Sequence, residues 1–394
     1  MRNTKKLMLA SLLGLGSLPA LSLVACGGGV AAGATNIGLV TDAGSINDKS
    51  FNQQAWEGVK AVDPTVSEAK NVVRPSATSP AAIVSGYKTL LTNGIKNIVA
   101  PGFYHRDAIQ LFNQEQGAAK DDVRFMLLDT ELENRASNTA ELTYDTLSAS
   151  FLAGYLTSLW FETQVEQYPE PKVGMWGGGP FQGVTDFMIG LVYGIKYYNE
   201  TRAVGKKAVS FATFNNKDNY TDTGFEPGKG RARADALIAS GAKVIFPVAG
   251  PQIQDVFASA EAAGKNDIRV IGVDTDMANR YDKQKDWFIT SVLKNIKDSV
   301  SGLYKVITNS PDADKETFKG LGQITRGNFA NKLTQLADNT TLGAWSKVSD
   351  PGSFYKKVVE DKALITKAED LTKGKTWDDA YNELIKLDNN DIRA

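Results

Sequence analysis

The sequence predicts an α/β protein of two lobes, each built on a doubly wound, mostly parallel sheet with helices on both faces. Short β-branched apolar runs alternate along the chain with longer amphipathic segments, which is the pattern of parallel sheets. Two of these runs, 98–100 and 270–273, carry no polar residue and therefore indicate strands buried on both sides. With 394 residues, 42% of them hydrophobic, the chain is long enough for about two domains.

The predicted elements follow from this alternation. Candidate strands lie at residues 36–41, 71–74, 96–100, 124–129, 172–176, 208–214, 243–248 and 269–273. Candidate helices lie at residues 52–62, 80–93, 108–116, 147–161, 183–198, 228–240 and 253–263. Ser79 can cap the second of these helices, with Pro80 at its first position and Gly94 just past its end. Two further helices are predicted at 354–368 and 377–387, and the sequence assigns them no function.

The composition excludes several kinds of chemistry. The chain has one histidine, His105, and one cysteine, Cys26, so it can form neither a multi-histidine metal site nor an internal disulfide. We expect His105 to be an exposed residue at a helix start. The 44 basic and 45 acidic side chains give a net charge of -1 and no general attraction to nucleic acid. Residues 224–229 are one residue short of a P-loop, and we predict no cofactor, no metal and no nucleic acid as a ligand.

The N-terminus has the form of a signal peptide, predicted for residues 1–25. Three basic residues precede an uncharged apolar stretch, 7–23, which contains glycines and a proline and has no second charged flank. Residues 23–26 resemble a bacterial lipobox, which implies cleavage before Cys26 and diacylglycerol on its sulfur, with palmitate expected among the acyl chains. The glycine-rich residues 26–35 then form a flexible tether. We expect a protein anchored by lipid to the extracytoplasmic side of the membrane.

The loop after the first strand carries the strongest functional pattern. Asp42 ends the strand, and Gly44 permits a sharp turn. Phe51 and Asn52 lie in the first turn of the next helix, at the edge where ligands bind in doubly wound sheets. An aromatic face beside an amide and a carboxylate suits a flat heteroaromatic ring on a polyol. The alternative is that Phe51 packs in the core and Asp42 only caps the helix.

This loop, residues 150–155, residues 172–174 before a glycine-rich loop, and residues 271–276 together resemble the basic membrane protein family of lipoproteins. The resemblance runs from about residue 36 to 303. Members are nucleoside-binding components of ABC importers, similar to the purine nucleoside receptor of spirochaetes. The resemblance implies a type I periplasmic-binding-protein fold, in which two α/β lobes joined by a hinge close on one nucleoside. It also implies a receptor without enzymatic activity that delivers its ligand to ABC permease and ATPase subunits.

The family implies roles for residues at matching positions. An aspartate at the end of the first strand and a Phe-Asn pair nine and ten residues later contact the base, and Asp42, Phe51 and Asn52 keep this spacing. A carboxylate corresponding to Asp274 takes the ribose hydroxyls, and a lysine corresponding to Lys294 reaches the sugar. A carboxylate can accept from two vicinal hydroxyls while an ammonium donates to ribose oxygens, so the assignments are chemically consistent.

The second lobe is expected to supply the other aromatic face around the base. Three residues near strand ends are candidates for this second face. Phe246 and Phe225 rank equally, and Trp176 ranks third. Asp276 is a candidate neighbour of Asp274.

Gly250 belongs to a loop in which the family usually continues with a glycine or another small residue. This chain has Pro251 there, which removes a backbone donor to the ribose.

We expect the lobes to be interleaved in a monomer. The N-terminal lobe comprises residues 36–145 and about 275–325, and the C-terminal lobe comprises residues 146–274 and about 326–394. The expected ligand is a purine nucleoside, guanosine, inosine or adenosine. Three alternatives stay open: an adhesin or interaction protein, a receptor for another small solute such as a sugar, and a nucleoside hydrolase that uses the cleft aspartates.

Overall fold

The computed structural model describes residues 36–212 and 224–372. The predicted signal peptide at 1–25, the tether at 26–35, the lipid attachment at Cys26 and the helix at 377–387 lie outside the described residues. None of the described helices is both long enough and apolar enough to span a lipid bilayer.

The described part of the chain alternates between strands and helices. The strands are β1 (Ile37–Val40), β2 (Val72–Val73), β3 (Asn97–Pro101), β4 (Arg124–Leu128), β5 (Thr139–Tyr144), β6 (Lys172–Gly177), β7 (Ser210–Phe211), β8 (Val244–Val248), β9 (Arg269–Asp274), β10 (Phe288–Lys294), β11 (Ile324–Gly327) and β12 (Thr334–Leu336). The helices are α1 (Phe51–Val62), α2 (Glu68–Asn71), α3 (Pro80–Thr92), α4 (His105–Gln116), α5 (Thr146–Thr163), α6 (Gln182–Thr201), α7 (Arg231–Ala239), α8 (Ile253–Ala262), α9 (Ile296–Ile307), α10 (Pro351–Val359) and α11 (Lys362–Thr372).

These strands form two sheets, and the predicted α/β class is confirmed. The first sheet has the order β11-β5-β4-β3-β1-β2, and all of its strand pairs are parallel. The second has the order β12-β10-β9-β8-β6-β7, in which only β12 is antiparallel. Strands β1, β3 and β8 are buried along their whole length because helices cover both faces of each sheet.

Local sequence explains where the helices begin. Ser79 accepts a hydrogen bond from the backbone N–H of Ala82 at 3.4 Å, and Pro80 occupies the first turn of α3. Asp145 caps α5 by accepting from the backbone N–H of Ser148 at 3.0 Å.

The chain passes between the lobes at three points. It crosses after β5 into α5, which packs in the second lobe, and returns after β10 into α9, which packs on α1. It crosses again between β11 of the first sheet and β12 of the second. The predicted crossing near residue 275 is therefore displaced to Lys294, because β10 pairs in parallel with β9 and completes the second sheet.

Candidate functional site

A cavity of about 1060 Å³ lies between the lobes, where the carboxyl ends of the strands of both sheets meet. Its wall combines loops after strands with the first turns of α1 and α6. Seven of the ten ligand-binding candidates line it: Asp42, Phe51, Asn52, Phe225, Gly250, Asp274 and Lys294. The structure thus brings together residues that are up to 252 positions apart in the chain.

Asp42 is held by the loop that it begins. Its Oδ1 accepts from the backbone N–H of Gly44 at 3.1 Å and from Nδ2 of Asn52 at 3.0 Å. A Cβ at Gly102, where φ is +97°, would lie 2.4 Å from Oδ2 of Asp42, so this close approach requires glycine. Burial raises the pKa of Asp42 to about 6, although the Asn52 and Gly44 hydrogen bonds oppose the shift. The carboxyl and the amide are therefore fixed side by side at the cavity wall.

Lys294 lies at the centre of the polar wall and is only 2% exposed. Its Nζ lies 2.7 Å from Oδ2 of Asp129 and 3.8 Å from Oδ1 of Asp274. It also donates to the backbone oxygen of Gly183 at 3.2 Å. Burial raises the pKa of Asp129 to about 6, while the neighbouring ammonium lowers it. One ammonium is thus shared by carboxyl groups from both lobes.

Asp129 is a cavity residue that sequence reasoning missed. Asp129 comes directly after β4, and Asp274 is the last residue of β9. Both residues have a left-handed backbone, with φ of 66° and 64° respectively. The signal that could have found it is a carboxylate directly after a buried strand, the same signal that identified Asp42.

Aromatic rings flank the ammonium. Nζ of Lys294 lies 5.6 Å from the ring centroid of Phe51 and 4.8 Å from that of Phe187. At another part of the wall, Phe103 of the first lobe stacks on Phe181 of the second, with centroids 3.7 Å apart and an interplanar angle of 24°. Three of these rings, Phe103, Phe181 and Phe187, were not predicted, because their loops and helix showed no distinctive pattern.

Three predicted residues lie away from the cavity lining. Phe246 is fully buried in the core of the second lobe, edge-on to Phe187 with centroids 6.1 Å apart. Trp176 is fully buried as well, and its Nε1 donates to Oε1 of Gln252 at 2.9 Å. Asp276 accepts from the backbone N–H of Ala278 at 3.2 Å and so caps a short 3₁₀ helix. Of the three aromatic candidates, only Phe225 is at the cavity.

His105 is buried rather than exposed, contrary to expectation. Its Nδ1 lies 2.6 Å from the hydroxyl oxygen of Tyr87, and burial lowers its pKa to about 3. The ring packs beneath α3 and lies outside the cavity lining. Within residues 36–212 and 224–372, no group of three or more histidine, cysteine or acidic side chains is placed to hold a metal ion.

Hydrogen bonds join the two lobes beside the cavity. Oγ of Ser50 donates to Oδ2 of Asp274 at 2.8 Å, and Nε2 of Gln54 donates to the backbone oxygen of the same residue at 2.8 Å. Ser50 and Gln54 belong to the start of α1 in the first lobe, and Asp274 ends β9 in the second. The structure is therefore a closed arrangement of the lobes.

A family profile described as "ABC transporter substrate-binding protein PnrA-like" matches residues 35–327. Among curated proteins, the ABC transporter nucleoside-binding protein BmpA of Lactococcus lactis is 26% identical over 320 residues, which cover 77% of this chain and 82% of that protein. Basic membrane protein A of Borreliella afzelii is 25% identical over 349 residues, covering 87% of this chain and 95% of that protein.

Solved structures show the same fold. A solute-binding protein of an ABC transporter system from Aeropyrum pernix superposes with a TM-score of 0.63 at 19% identity, covering 89% of this chain and 90% of that one. A second one, from Conexibacter woesei, gives a TM-score of 0.55 at 18% identity, covering 90% and 99%. The predicted type I periplasmic-binding-protein fold is thereby confirmed.

Proposed function

Because this chain belongs to the family of PnrA-like ABC transporter substrate-binding proteins, we propose that it binds a nucleoside, in particular a purine nucleoside, in the cavity between its lobes. The observation that carries the proposal is the pairing of two chemically different walls. One wall offers an aromatic ring beside a fixed carboxyl and amide, Phe51 with Asp42 and Asn52. The other offers an ammonium between two carboxyl groups.

The aromatic wall suits the base. Phe51 and Phe225 both line the cavity and can each cover one face of a purine, which contributes on the order of 1 to 3 kcal/mol per face. Asp42 and Asn52 can meet the edge of the ring, since an amide both donates and accepts.

The charged wall suits the sugar. Asp274 can accept from vicinal hydroxyls and Lys294 can donate to ribose oxygens. Asp129, on the other side of the same ammonium at 2.7 Å, extends this hydrogen-bonding surface into the first lobe. Gly250, with φ of +52°, brings backbone to the cavity, and Pro251 beside it offers no N–H donor. We propose that the sugar is held chiefly by side chains.

We propose further that the protein acts as a monomer without enzymatic activity, held to the membrane by lipid on Cys26, and delivers guanosine, inosine or adenosine to an ABC permease and its ATPase. The lipobox-like residues 23–26 support the anchor. Mass spectrometry of the protein from membranes should find an acylated N-terminal Cys26. A Cys26→Ala variant recovered in the membrane as efficiently as the wild type contradicts the anchor.

The test of the ligand is calorimetric titration of the purified chain, kept in mild detergent, with guanosine, inosine, adenosine, cytidine, ribose and the free bases. We expect micromolar or tighter affinity for at least one purine nucleoside and no binding of ribose or free base. Absence of nucleoside binding contradicts the proposal, and ribose binding alone favours a sugar receptor. Analysis of the ligand after incubation separates a receptor from a hydrolase, because a receptor returns the nucleoside intact.

A further inference from the structure

Asp186 is a cavity carboxyl that none of the roles above uses. It lies one turn into α6, lines the cavity beside Gly183 and Phe187, and is 8% exposed. Gln182, one turn earlier on α6, also lines the cavity. Within the described ranges, no ion pair reaches Asp186, because the only ammonium nearby lies closest to other carboxyl groups.

The surroundings of Asp186 disfavour a negative charge. Asp145 at the start of α5 and Asp129 after β4 face it from two other elements and raise its pKa, whereas Lys294 at the end of β10 lowers it. The negative charge of Glu369 on α11 in turn raises the pKa of Asp145. Burial is the largest cause and Asp145 the next, and together they raise the pKa of Asp186 to about 7.

A neutral carboxyl offers a hydrogen-bond donor that the neighbouring carboxylates lack. Asp42, Asp129 and Asp274 also line the cavity, and as carboxylates they can only accept hydrogen bonds, so a neutral Asp186 would differ from them in kind. We propose that Asp186 takes part in binding as a neutral carboxylic acid that donates a hydrogen bond to an oxygen or nitrogen acceptor of the nucleoside. This inference rests on the proposed function, because it names a specificity-determining residue of that same site.

The proposal predicts how nucleoside affinity changes with pH and how many protons are taken up on binding. If the ligand selects the neutral acid, the dissociation constant rises about fivefold from pH 7 to 8 and approaches a tenfold rise per pH unit above that, and binding at pH 7.5 takes up most of one proton. Asp42 and Asp129 have pKa values of about 6, so the window from pH 7 to 8.5 reports on Asp186. Calorimetry in buffers with different ionisation enthalpies measures the proton uptake directly.

Two substitutions at Asp186 distinguish a role as hydrogen-bond donor from a role that depends only on side-chain size. Asp186→Asn keeps a donor that does not titrate, so it should bind at least threefold more tightly than Asp186→Ala and show no proton uptake. At pH 8.5 it should bind more tightly than the wild type, whose acid is then ionised. Asp145→Asn removes the second cause of the shift while keeping the helix cap, so it should move the fall in affinity to lower pH.

The outcomes are distinct. A wild type that binds no nucleoside contradicts the proposed function itself. A wild type that binds, but with no proton uptake at pH 7.5 or with Asp186→Asn no better than Asp186→Ala, overturns the role of Asp186 alone. As a readout independent of affinity, the infrared difference spectrum of ligand binding should contain a protonated-carboxyl band that is lost in Asp186→Asn. A spectrum unchanged by that substitution also overturns the proposal.

Discussion

Arg280 and Glu57 form a bidentate ion pair that joins the lobes outside the cavity lining. The guanidinium nitrogens Nη1 and Nη2 lie 2.7 Å from Oε1 and Oε2 of Glu57, respectively. Glu57 lies on α1 of the first lobe, and Arg280 precedes Tyr281, which packs in the core of the second. Nearby, Nζ of Lys49 lies 4.5 Å from the ring centroid of Tyr281. The closed arrangement is thus stabilised by contacts between residues that do not line the cavity.

This pair makes affinity depend on residues remote from the ligand. Glu57→Gln should weaken nucleoside binding three- to tenfold, mainly by faster dissociation, because it destabilises the closed state by about 1 kcal/mol. Stopped-flow fluorescence with a purine nucleoside measures both rate constants.

The matched control is Glu115→Gln, which breaks the 2.7 Å pair between Lys88 and Glu115 on helices of the same lobe. It should leave affinity unchanged. Equal affinity of Glu57→Gln and the wild type would show that the interlobe pair does not contribute to closure.

The two aromatic candidates of the second lobe predict opposite phenotypes. Phe225→Ala should weaken nucleoside binding at least tenfold with little change in stability, because a half-buried ring at the cavity is removed. Phe246→Ala should instead lower the free energy of unfolding by about 3 to 5 kcal/mol, because it leaves a hole in a closed core. Chemical denaturation and calorimetry on both variants measure the two effects. Phe225→Tyr, which keeps the ring, should retain most of the affinity, and a larger affinity loss for Phe246→Ala than for Phe225→Ala reverses the assignment.

The contrast between Phe225 and Phe246 also shows what sequence alone cannot decide. Phe246 lies in the middle of β8, which is buried along its whole length, and its ring packs in the core of the second lobe. Phe225 lies outside the strands, between β7 and α7, and lines the cavity. By contrast, Asp42, Phe51 and Asn52 were predictable because one short loop fixes all three.

Strands with polar residues were missed for a related reason. β5 contains Glu141, a poor strand residue, yet it is fully buried because its carboxylate accepts from the backbone N–H of Leu132 at 2.9 Å. The donor, Leu132, lies in a loop, so no sequence pattern indicates that the buried carboxylate of Glu141 has a hydrogen-bond partner. The lobe crossing after Lys294 was misplaced because β10, which completes the second sheet, was not among the strands predicted from the alternating pattern.

Asp42 should make stability depend on pH. Its pKa in the folded protein, about 6, exceeds its ordinary value of 3.8, so the fold favours the protonated form. This contribution is fully present below pH 4 and is lost as pH rises through 6, which leaves a cost on the order of 2 to 3 kcal/mol at pH 7.5.

Asp42→Asn keeps an acceptor for Gly44 and removes the charge. It should therefore raise the melting temperature clearly at pH 7.5 and only slightly at pH 4, while weakening nucleoside binding. Asp121→Asn, which changes an exposed carboxyl, serves as the control and should alter neither. A stabilisation by Asp42→Asn that is equal at both pH values would show that the buried charge is not its cause.

The left-handed backbone at Asp274 allows its carboxylate and its conformation to be tested apart. Asp274→Ala and Asp274→Gly should both weaken nucleoside binding at least tenfold, since each removes the carboxylate near Lys294. The glycine variant should nevertheless be more stable than the alanine variant by about 1 kcal/mol, because φ of 64° strains any residue with a Cβ except, in part, Asp and Asn. The same pair of substitutions at Asp276, where φ is −65°, should give glycine no advantage and should change affinity little. If alanine and glycine are equally stable at position 274, the backbone there relaxes without the aspartate, and the carboxylate itself holds the turn.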